Sequence, residues 1–308
     1  MDEFEVIRRF FSRHAGSSMV VAGVGDDGAV LRLPAGRQLV TVIDTMVSGT
    51  HFPASMKPRD IGYRIVAVNL SDIAAMGAEP RWMTLALTLV DADPDWLNEF
   101  ATGLYEAADE WGVVLVGGDT TKGEQLVCSV QMSGDLAPGT ALYRGGAKPG
   151  DTIYVTGTLG DAAAGLRQFS DDERNQYLAS RFARPTARVG VGRALAGIAH
   201  AAIDVSDGLV GDLVKILEAS GTGAELAVQR LPVSQELLEA VGRKQALEYA
   251  MGGGDDYELC FTMPESLLPQ EIGAQVTAIG RITAENGLAC RDGDAVVPFD
   301  ATGYRHFQ

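Results

Sequence analysis

Apolar residues recur along this chain in two spacings, and these spacings predict strands and helices in alternation. Short apolar runs bounded by turn residues are typical of buried strands, whereas apolar residues three and four positions apart are typical of a helix that faces a core. Asp93-Pro94 supplies an N-cap and a proline at the first helical position, and Gly112 ends the pattern that begins there. The elements predicted for the first half are strand Gln38–Ile43, helix Asp60–Met76, strand Pro80–Val90, helix Asp93–Gly112 and strand Val113–Val116.

A stretch rich in glycine and proline, Gly134–Gly150, divides the chain into halves of similar size. It contains five Gly and two Pro, which is typical of a domain boundary. The pattern therefore predicts an α/β (α+β) protein with two domains, residues 1–137 and 138–308. The elements predicted for the second half are strand Thr152–Thr156, helix Asp161–Leu166, strand Ala201–Ile203, helix Gly208–Ala219 and strands Glu225–Val228, Tyr257–Thr262 and Val276–Ile279.

Charge and cysteine content narrow the classes of function. The 308-residue chain has 41 acidic and 25 basic residues and a net charge of −16, which disfavours nucleic acid and anionic membranes as partners. No apolar run is long enough to predict a membrane-spanning helix. The cysteines, Cys128, Cys260 and Cys290, are far apart and form no CxxC pair. We therefore expect no disulfide framework and no zinc site, and a reducing, cytoplasmic location.

Two familiar nucleotide-binding motifs can be set aside. Gly23–Gly28 matches GxGxxG, but a dinucleotide fold requires a helix to begin at that loop. Here Ala29–Leu33 is a strand-like run that ends at Pro34. A Walker A loop is excluded because no Gly-Lys-Ser/Thr sequence occurs in the chain.

Aspartates occur repeatedly at predicted strand ends or in loops beside small residues. Loops at one edge of a sheet can converge, so these carboxylates are candidates for a shared Mg²⁺ site, although each alone is an ordinary loop residue. The aspartates with this placement are Asp26, Asp27, Asp44, Asp119, Asp204 and Asp207.

Asp72 is the most informative single aspartate, because it falls within the apolar stripe of the predicted helix Asp60–Met76. A carboxylate on an apolar face requires a compensating cation or hydrogen-bond donors. The compensating group is either a metal ion or a structural partner, with Arg64 and Arg81 as candidates. Phosphoryl transfer mainly requires positioning and charge neutralisation, which several Asp-bound Mg²⁺ ions can supply.

Three further motifs do not indicate a function by their spacing alone. Asp204–Gly208 lacks the glycine position and the distal Glu of a calcium-binding EF-hand loop. His51 is an isolated histidine, for which a structural role is the commoner alternative. The glycines of Gly252–Tyr257 allow close approach to a ligand, but they fit a plain turn equally well.

Taken in series, the motifs of the chain resemble those of thiamine-monophosphate kinases. They are spread from Gly23 to Phe307, so the resemblance covers nearly the whole sequence. The matching strings are GVGDDGAVL, IDTMVSGTHF, AVNLSDIAAMGAEP, LVGGDTTKG, GAKPGD, YVTGTLGDAAAGL, AIDVSDGL, GGGDDYELCF and GYRHF.

This resemblance implies a fold shared with aminoimidazole ribonucleotide synthetase, selenophosphate synthetase and a hydrogenase maturation protein. In that fold the N-terminal sheets of two copies pair into a barrel across a homodimer, with ATP near the interface. The C-terminal domain is a mixed α/β sandwich that completes the nucleotide and substrate site. The implied reaction is direct transfer of phosphate from ATP to thiamine monophosphate, assisted by several Mg²⁺ ions.

The resemblance also implies a role for individual residues. The implied metal ligands are Asp27, Asp44, Asp72, Asp119, Asp204 and Asp207. The residues implied to contact ATP are Gly118, Asp119, Arg144 and Ser206. The thiamine monophosphate pocket is implied to contain His51, Asp255 and Tyr304, and the main catalytic groups to be Asp44, Asp119 and Arg144.

The chain departs from the family pattern at two places. Val42 and Ile43 precede Asp44, where family members can carry hydroxyl residues, and Asp255 stands where Glu is frequent. Rival functions are another ATP-dependent enzyme of the same superfamily and a non-catalytic nucleotide-binding regulator. A selenophosphate synthetase is disfavoured because no Cys lies near the N-terminus, and the hydrogenase maturation role because the sequence ends without Cys.

Overall fold

The computed structural model describes residues 1–13, 17–169, 175–293 and 295–298. The chain divides into two compact units, the first consisting of residues 1–73 and 78–138 and the second of residues 74–77 and 139–308. Each unit combines a sheet with helices, which confirms the expected two-domain α/β organisation. Within the described ranges no helix is long and apolar enough to cross a bilayer.

The first unit is built on a four-stranded sheet in the order β3-β6-β4-β5. The outer strand β3 pairs with β6 in an antiparallel ladder of ten residue pairs, and β4 runs parallel to β5. The elements of this unit are α1 Glu3–Val6, a π-helix at Ile7–Phe11, β1 Val20–Ala22, β2 Val30–Leu31, β3 Gln38–Val47, α2 Pro58–Ala75, β4 Glu79–Leu89, α3 Pro94–Glu110, β5 Val114–Lys122 and β6 Val127–Leu136.

Helices α2 and α3 pack at backbone contact distance. A Cβ atom built on Gly62 would lie 2.1 Å from the carbonyl oxygen of Phe100, and one on Gly103 would lie 1.7 Å from that of Arg59. Because only glycine lacks this atom, the two glycines allow the helices to touch. This close contact fixes the depth of α2, the helix that carries Asp72.

The second unit contains a seven-stranded sheet, as far as the structure describes it, in the order β13-β12-β9-β11-β7-β10-β8. Apolar residues of the sheet and of α7 form its main core cluster. The elements are β7 Thr152–Thr156, α4 Asp161–Arg167, α5 Gln176–Ala183, α6 Val189–Leu195, β8 Ala201–Asp204, α7 Leu209–Ser220, β9 Gly223–Ala227, α8 Gln235–Gly252, β10 Leu259–Met263, β11 Val276–Thr283, β12 Gly287–Asp292 and β13 Ala295–Val296, with 3-10 turns at Val228–Arg230 and Glu265–Leu267.

Two predicted strand ends are wrong, and both corrections move a candidate site residue. Strand β3 continues to Val47, so Asp44 lies inside the strand and not at its end. Strand β5 continues through Gly117 and Gly118 to Lys122, so Asp119 also lies within a strand. The predicted N-cap is confirmed, since the Asp93 carboxylate accepts the Asp95 N–H at 3.0 Å.

Candidate active site

A cavity of about 390 Å³ in the first unit brings four of the candidate residues together: Asp26, Asp27, Gly118 and Asp119. One wall is the glycine loop at residues 25–28, and another is strand β5. The Asp26, Asp27 and Asp119 side chains are exposed. The cavity therefore presents three carboxylates to an incoming ligand.

Three apolar residues of the N-terminal segment, Phe4, Ile7 and Phe11, line the same cavity. The sequence analysis did not include them. A signal was present, because their spacing of three and four residues places them on one helical face. The cavity thus combines an apolar wall with carboxylates, an arrangement that suits a ligand with a flat apolar part and a metal-bound anionic part.

Gly118 is required by the close approach of β4. A Cβ atom at this position would lie 1.9 Å from the carbonyl oxygen of Leu85 on the neighbouring strand. No side chain can be accommodated there without displacing β4. The glycine therefore keeps the cavity wall beside Asp119 flat.

Asp44 and Asp72 meet beside Arg64 on the α2 side of β3. Burial raises the pKa of Asp44, and its hydrogen bond to Asp72 and the charge of Arg64 only partly oppose that rise. Of the two structural partners considered for Asp72, Arg64 acts on the neighbouring Asp44, and Arg81 binds Asp135 at 2.6 Å and Glu79 at 2.8 Å. A divalent cation would favour the ionised form of both carboxyl groups, so this hydrogen-bonded pair fits a cation site.

Asp44 and Asp119 lie on opposite edges of the four-stranded sheet. The residue row across the sheet runs from Asp44 through Val130 and Leu85 to Gly118. Three strand spacings separate the two edges, or about 14 Å. Accordingly, no three His, Cys, Asp or Glu side chains of the described ranges form a ready metal-binding group.

In the second unit, a carboxylate and a lysine hold the loop Asp204–Asp207. Asp212 accepts the backbone N–H groups of Ser206 and Asp207, each at 3.0 Å. Lys215 donates to Asp212 at 2.7 Å and to Asp207 at 2.6 Å. A metal ion at Asp207 would therefore compete with the Lys215 ammonium. Asp204, at the start of the same loop, is buried.

The sequence analysis missed Asp212 and Lys215. Both lie on α7, three residues apart, so they share a helical face. The helix was predicted, but the backbone hydrogen bonds that join Asp212 to the preceding loop depend on the fold of that loop. Sequence spacing alone cannot show them.

Asp255 lies next to Ser206. Its N–H donates to the Ser206 carbonyl at 2.8 Å, and the Tyr257 hydroxyl donates to its carboxylate at 3.4 Å. Asp255, predicted to line the thiamine monophosphate pocket, therefore lies in hydrogen-bond contact with Ser206, predicted to contact ATP. Both Asp255 and Tyr257 have left-handed backbone conformations, with φ of 62° and 52°.

The carboxyl group of Asp256 is buried behind this segment. It accepts N–H groups from Gly160 at 2.7 Å and from Ala162 at 3.3 Å. Burial raises its pKa to about 8, although the bond from Gly160 and the charge of Arg181 act in the opposite direction. Asp256 therefore holds its proton far more tightly than an exposed aspartate does.

This raised pKa predicts a pH dependence of stability. Between pH 3.8 and about 8, the folded chain retains a proton at Asp256 that the unfolded chain has released. This carboxyl group therefore lowers the free energy of unfolding as pH rises through that window, with no change below it or above it. Asparagine does not ionise. We expect urea unfolding to show the wild-type chain losing stability relative to Asp256→Asn from about pH 4 to about pH 8. Parallel stability curves for the two proteins would contradict the shift.

The remaining predicted residues are placed as follows. Arg144 is exposed in the segment before β7, and the adjacent Tyr143 carbonyl accepts the Ala202 N–H of β8 at 2.9 Å. His51 folds back on the end of β3, where its Nδ1 accepts the Val47 N–H at 3.0 Å. An imidazole that accepts at Nδ1 carries its proton on Nε2. Tyr304 lies outside the described residues.

Comparison with known proteins identifies the family. The N-terminal domain of AIR synthase related proteins matches residues 25–136, and the C-terminal domain of the same family matches residues 148–293. The thiamine-monophosphate kinase of Salmonella typhimurium is 46% identical over 320 residues, covering 99% of this chain and 98% of that protein. The chain belongs to the thiamine-monophosphate kinase family.

Solved structures of the thiamine-monophosphate kinase family have the same fold. The crystal structure of thiamine-monophosphate kinase from Stenotrophomonas maltophilia K279a is 42% identical, with a TM-score of 0.88 and coverage of 96% of this chain and 98% of that one. AaThiL in complex with AMPPCP and TMP is 31% identical, with a TM-score of 0.81 and coverage of 94% and 93%. That relative therefore binds an ATP analogue and TMP together.

Proposed function

We infer that the chain transfers the terminal phosphoryl group of ATP to the phosphate of thiamine monophosphate, giving ADP and thiamine diphosphate. The observation that carries this proposal is the cavity in which Asp27 and Asp119 face the apolar wall of Phe4, Ile7 and Phe11. The full-length similarity to thiamine-monophosphate kinases supports the choice of acceptor.

The chemistry of the cavity walls supports this cavity as the nucleotide site. The apolar N-terminal residues suit the adenine base, and the carboxylates suit the Mg²⁺ that accompanies the phosphates. Bound Mg²⁺ would neutralise charge on the phosphate oxygens. In the second unit, the exposed Arg144 supplies a guanidinium for phosphate oxygens, and Ser206 lies in the loop that Asp212 holds.

The proposed metal ligands differ in how well their surroundings fit a cation. Asp44 and Asp72 fit best, because their combined charge exceeds that of Arg64. Asp27 and Asp119 are exposed in the cavity, and Asp204 is buried at the end of β8. Asp207 fits least well, because Lys215 already binds its carboxylate. The transfer itself is in line from donor to acceptor, and the acceptor oxygen is anionic, so no general base is assigned.

In this proposal, thiamine monophosphate, the substrate that accepts the phosphoryl group, is bound by His51 and Asp255. With its Nδ1 occupied by the Val47 N–H, His51 presents Nε2–H as a donor suited to a phosphate oxygen. Asp255 is suited to the positively charged part of thiamine. It is held beside Ser206 by a backbone hydrogen bond of 2.8 Å.

A homodimer is part of this proposal, because both edges of the four-stranded sheet carry site residues. Alternate residues of the edge strand β3 face away from α2, and among them Leu39 and Ile43 are exposed. Closing two such sheets into a barrel pairs the edge strands of one copy with those of the other. A partner would then supply carboxylates at each edge.

The deciding assay measures thiamine diphosphate formed from ATP, Mg²⁺ and thiamine monophosphate by the purified chain. A reaction without metal and a reaction with free thiamine are the controls. Metal-dependent product from the monophosphate alone is the expected result. A folded protein that binds ATP and forms no product would redirect the assignment to another enzyme of the superfamily or to a regulator.

A further inference from the structure

Two non-glycine residues stand in the left-handed region of backbone space among those the structure describes, Asp255 and Tyr257. This conformation is unfavourable for a residue with a side chain, and most of all for a bulky one. It persists only where the surroundings determine it, and such residues cluster at functional sites. The surroundings of this segment should therefore contain the groups that impose it.

Fully buried carboxyl groups alternate with these two residues along the chain. Asp256 is 1% exposed and Glu258 is 0% exposed, whereas Asp255 and Tyr257 are partly exposed. Burial thus alternates along the segment, with the side chains of Asp256 and Glu258 turned inward and those of Asp255 and Tyr257 turned outward. We call the two inward side chains, Asp256 and Glu258, the anchors, because they are positioned to hold the neighbouring outward residues in place.

Each anchor is bound to a different part of the second unit. Asp256 accepts two backbone N–H groups, from Gly160 and Ala162 at the start of α4. Glu258 accepts from Arg188 at 2.5 Å and 2.6 Å and from Arg181 at 2.9 Å. It also accepts the Thr156 hydroxyl, at 2.5 Å.

The space around the Glu258 anchor is fully used. A Cβ atom built on Gly157 would lie 2.2 Å from a carboxylate oxygen of Glu258 and 2.6 Å from Arg188. The anchor therefore has little freedom to shift. A geometry fixed from several sides in this way can be transmitted along the backbone to the neighbouring residue.

The backbone of the segment is fixed as well. The N–H groups of Asp255 and Tyr257 donate to the carbonyls of Ser206 and Val205, at 2.8 Å and 2.9 Å. The Val205 N–H donates to the Glu258 carbonyl at 2.7 Å. The backbone N–H groups of Asp255 and Tyr257 are thus engaged within the unit, whereas their side chains are partly exposed at its surface.

We propose that Asp256 and Glu258 are positioning residues that hold Asp255 and Tyr257 in the left-handed conformation in which they receive the thiamine part of the acceptor. This inference rests on the proposed function. A purely structural role does not explain the arrangement equally well, because apolar residues of similar volume stabilise a core as effectively as buried polar or ionic groups do. Stability alone also does not require that two left-handed residues, Asp255 and Tyr257, alternate with the buried carboxyl groups.

The test compares Asp256→Asn with Asp151→Asn in the full-length protein. Asn offers one acceptor oxygen where Asp256 uses two, so the anchor is weakened with little change of volume. Asp151 is a matched control, because it is a buried carboxylate of the same unit, bound to His200 and to the Lys148 N–H. It precedes β7, at the opposite end of that strand from Thr156.

We expect Asp256→Asn to raise the Kd and KM for thiamine monophosphate about 10-fold or more, because small displacements of positioning groups are costly. The KM for ATP should change by less than about 3-fold, and the Asp151→Asn values should stay near wild type. Calorimetric titration and steady-state kinetics measure these values, and circular dichroism confirms that each protein is folded. Glu258→Gln, if it folds, should change the same constants in the same direction.

Unchanged thiamine monophosphate affinity in Asp256→Asn, with wild-type binding intact, overturns the inference alone. Equal losses for thiamine monophosphate and ATP, in proportion to a lower folded fraction, overturn it also. A wild-type protein that binds ATP and does not bind thiamine monophosphate overturns the proposed function, and this inference with it.

Discussion

Asp119→Asn should lower kcat by about 10²-fold or more while leaving the free energy of unfolding within about 0.5 kcal/mol of wild type. Asp119 is exposed in the cavity of the first unit, so the substitution removes a charge without opening a void. The carboxylate is one of those proposed to hold Mg²⁺ against the phosphates. Loss of that charge should raise the barrier to transfer without disturbing the packing.

Initial-rate kinetics at saturating ATP and Mg²⁺, together with urea unfolding, measure the two effects. Glu124→Gln is the matched control, because Glu124 is an exposed carboxylate just beyond the end of the same strand. It should keep both activity and stability. A kcat for Asp119→Asn within about threefold of wild type would remove Asp119 from the proposed machinery.

Asp44→Asn should produce effects of opposite sign on stability and activity. Without metal, Asp44 and Asp72 place two carboxylates beside one arginine, and burial raises the pKa of Asp44. Removing the charge of Asp44 leaves one carboxylate, Asp72, beside the Arg64 guanidinium. We expect the metal-free variant to be more stable than wild type by about 1 kcal/mol. Its kcat should fall by about 10²-fold or more, because the Mg²⁺ proposed at this position is held less well.

Unfolding in EDTA and in Mg²⁺ separates these effects. Wild type should gain stability when Mg²⁺ is added, and Asp44→Asn should gain less. Asp135→Asn is the contrasting control, because Asp135 is buried and is paired with two arginines, Arg37 and Arg81. That control should lose about 3 kcal/mol. A destabilised metal-free Asp44→Asn would show that Asp44 is a structural partner of Arg64 alone.

The sequence predicted the types of many elements correctly, but strand ends failed where polar residues or glycines lie inside a strand. Asp44 was interpreted as the end of β3, although the ladder with β6 continues to Val47. The glycines before Asp119 were interpreted in the same way. Pairing with β4 carries β5 through them, because neighbouring strands supply hydrogen bonds that local propensity does not register.

Some elements were missed because their patterns are weak. Strand β6 continues to Leu136 through Gly134 and Asp135, which were interpreted as part of the domain boundary, yet β3 and β4 pair with it on both sides. Helix α8 was also missed. It contains a non-helical residue, Gly242, that interrupts its periodicity.

The candidate site was only partly predictable for a similar reason. Motif order supplied the candidate residues, but the spatial grouping depends on tertiary structure. Asp27 and Asp119 share a cavity, whereas Asp44 lies three strands from the Asp119 strand. The left-handed backbone at Asp255 was likewise not readable from spacing, because aspartate adopts several conformations and only the buried neighbours select one.

The contact between α2 and α3 limits which substitutions the first unit can tolerate. Even one methyl group at Gly62 or Gly103 would collide with backbone on the facing helix, and backbone cannot turn aside as a side chain can. In a library of variants selected for activity, substitutions at these two glycines should therefore be depleted, although neither glycine is a proposed ligand. Alanine at either position would push α2 outward and carry Asp72 away from Asp44. Selection for the proposed phosphoryl transfer would therefore preserve two glycines that are not proposed to contact a phosphate.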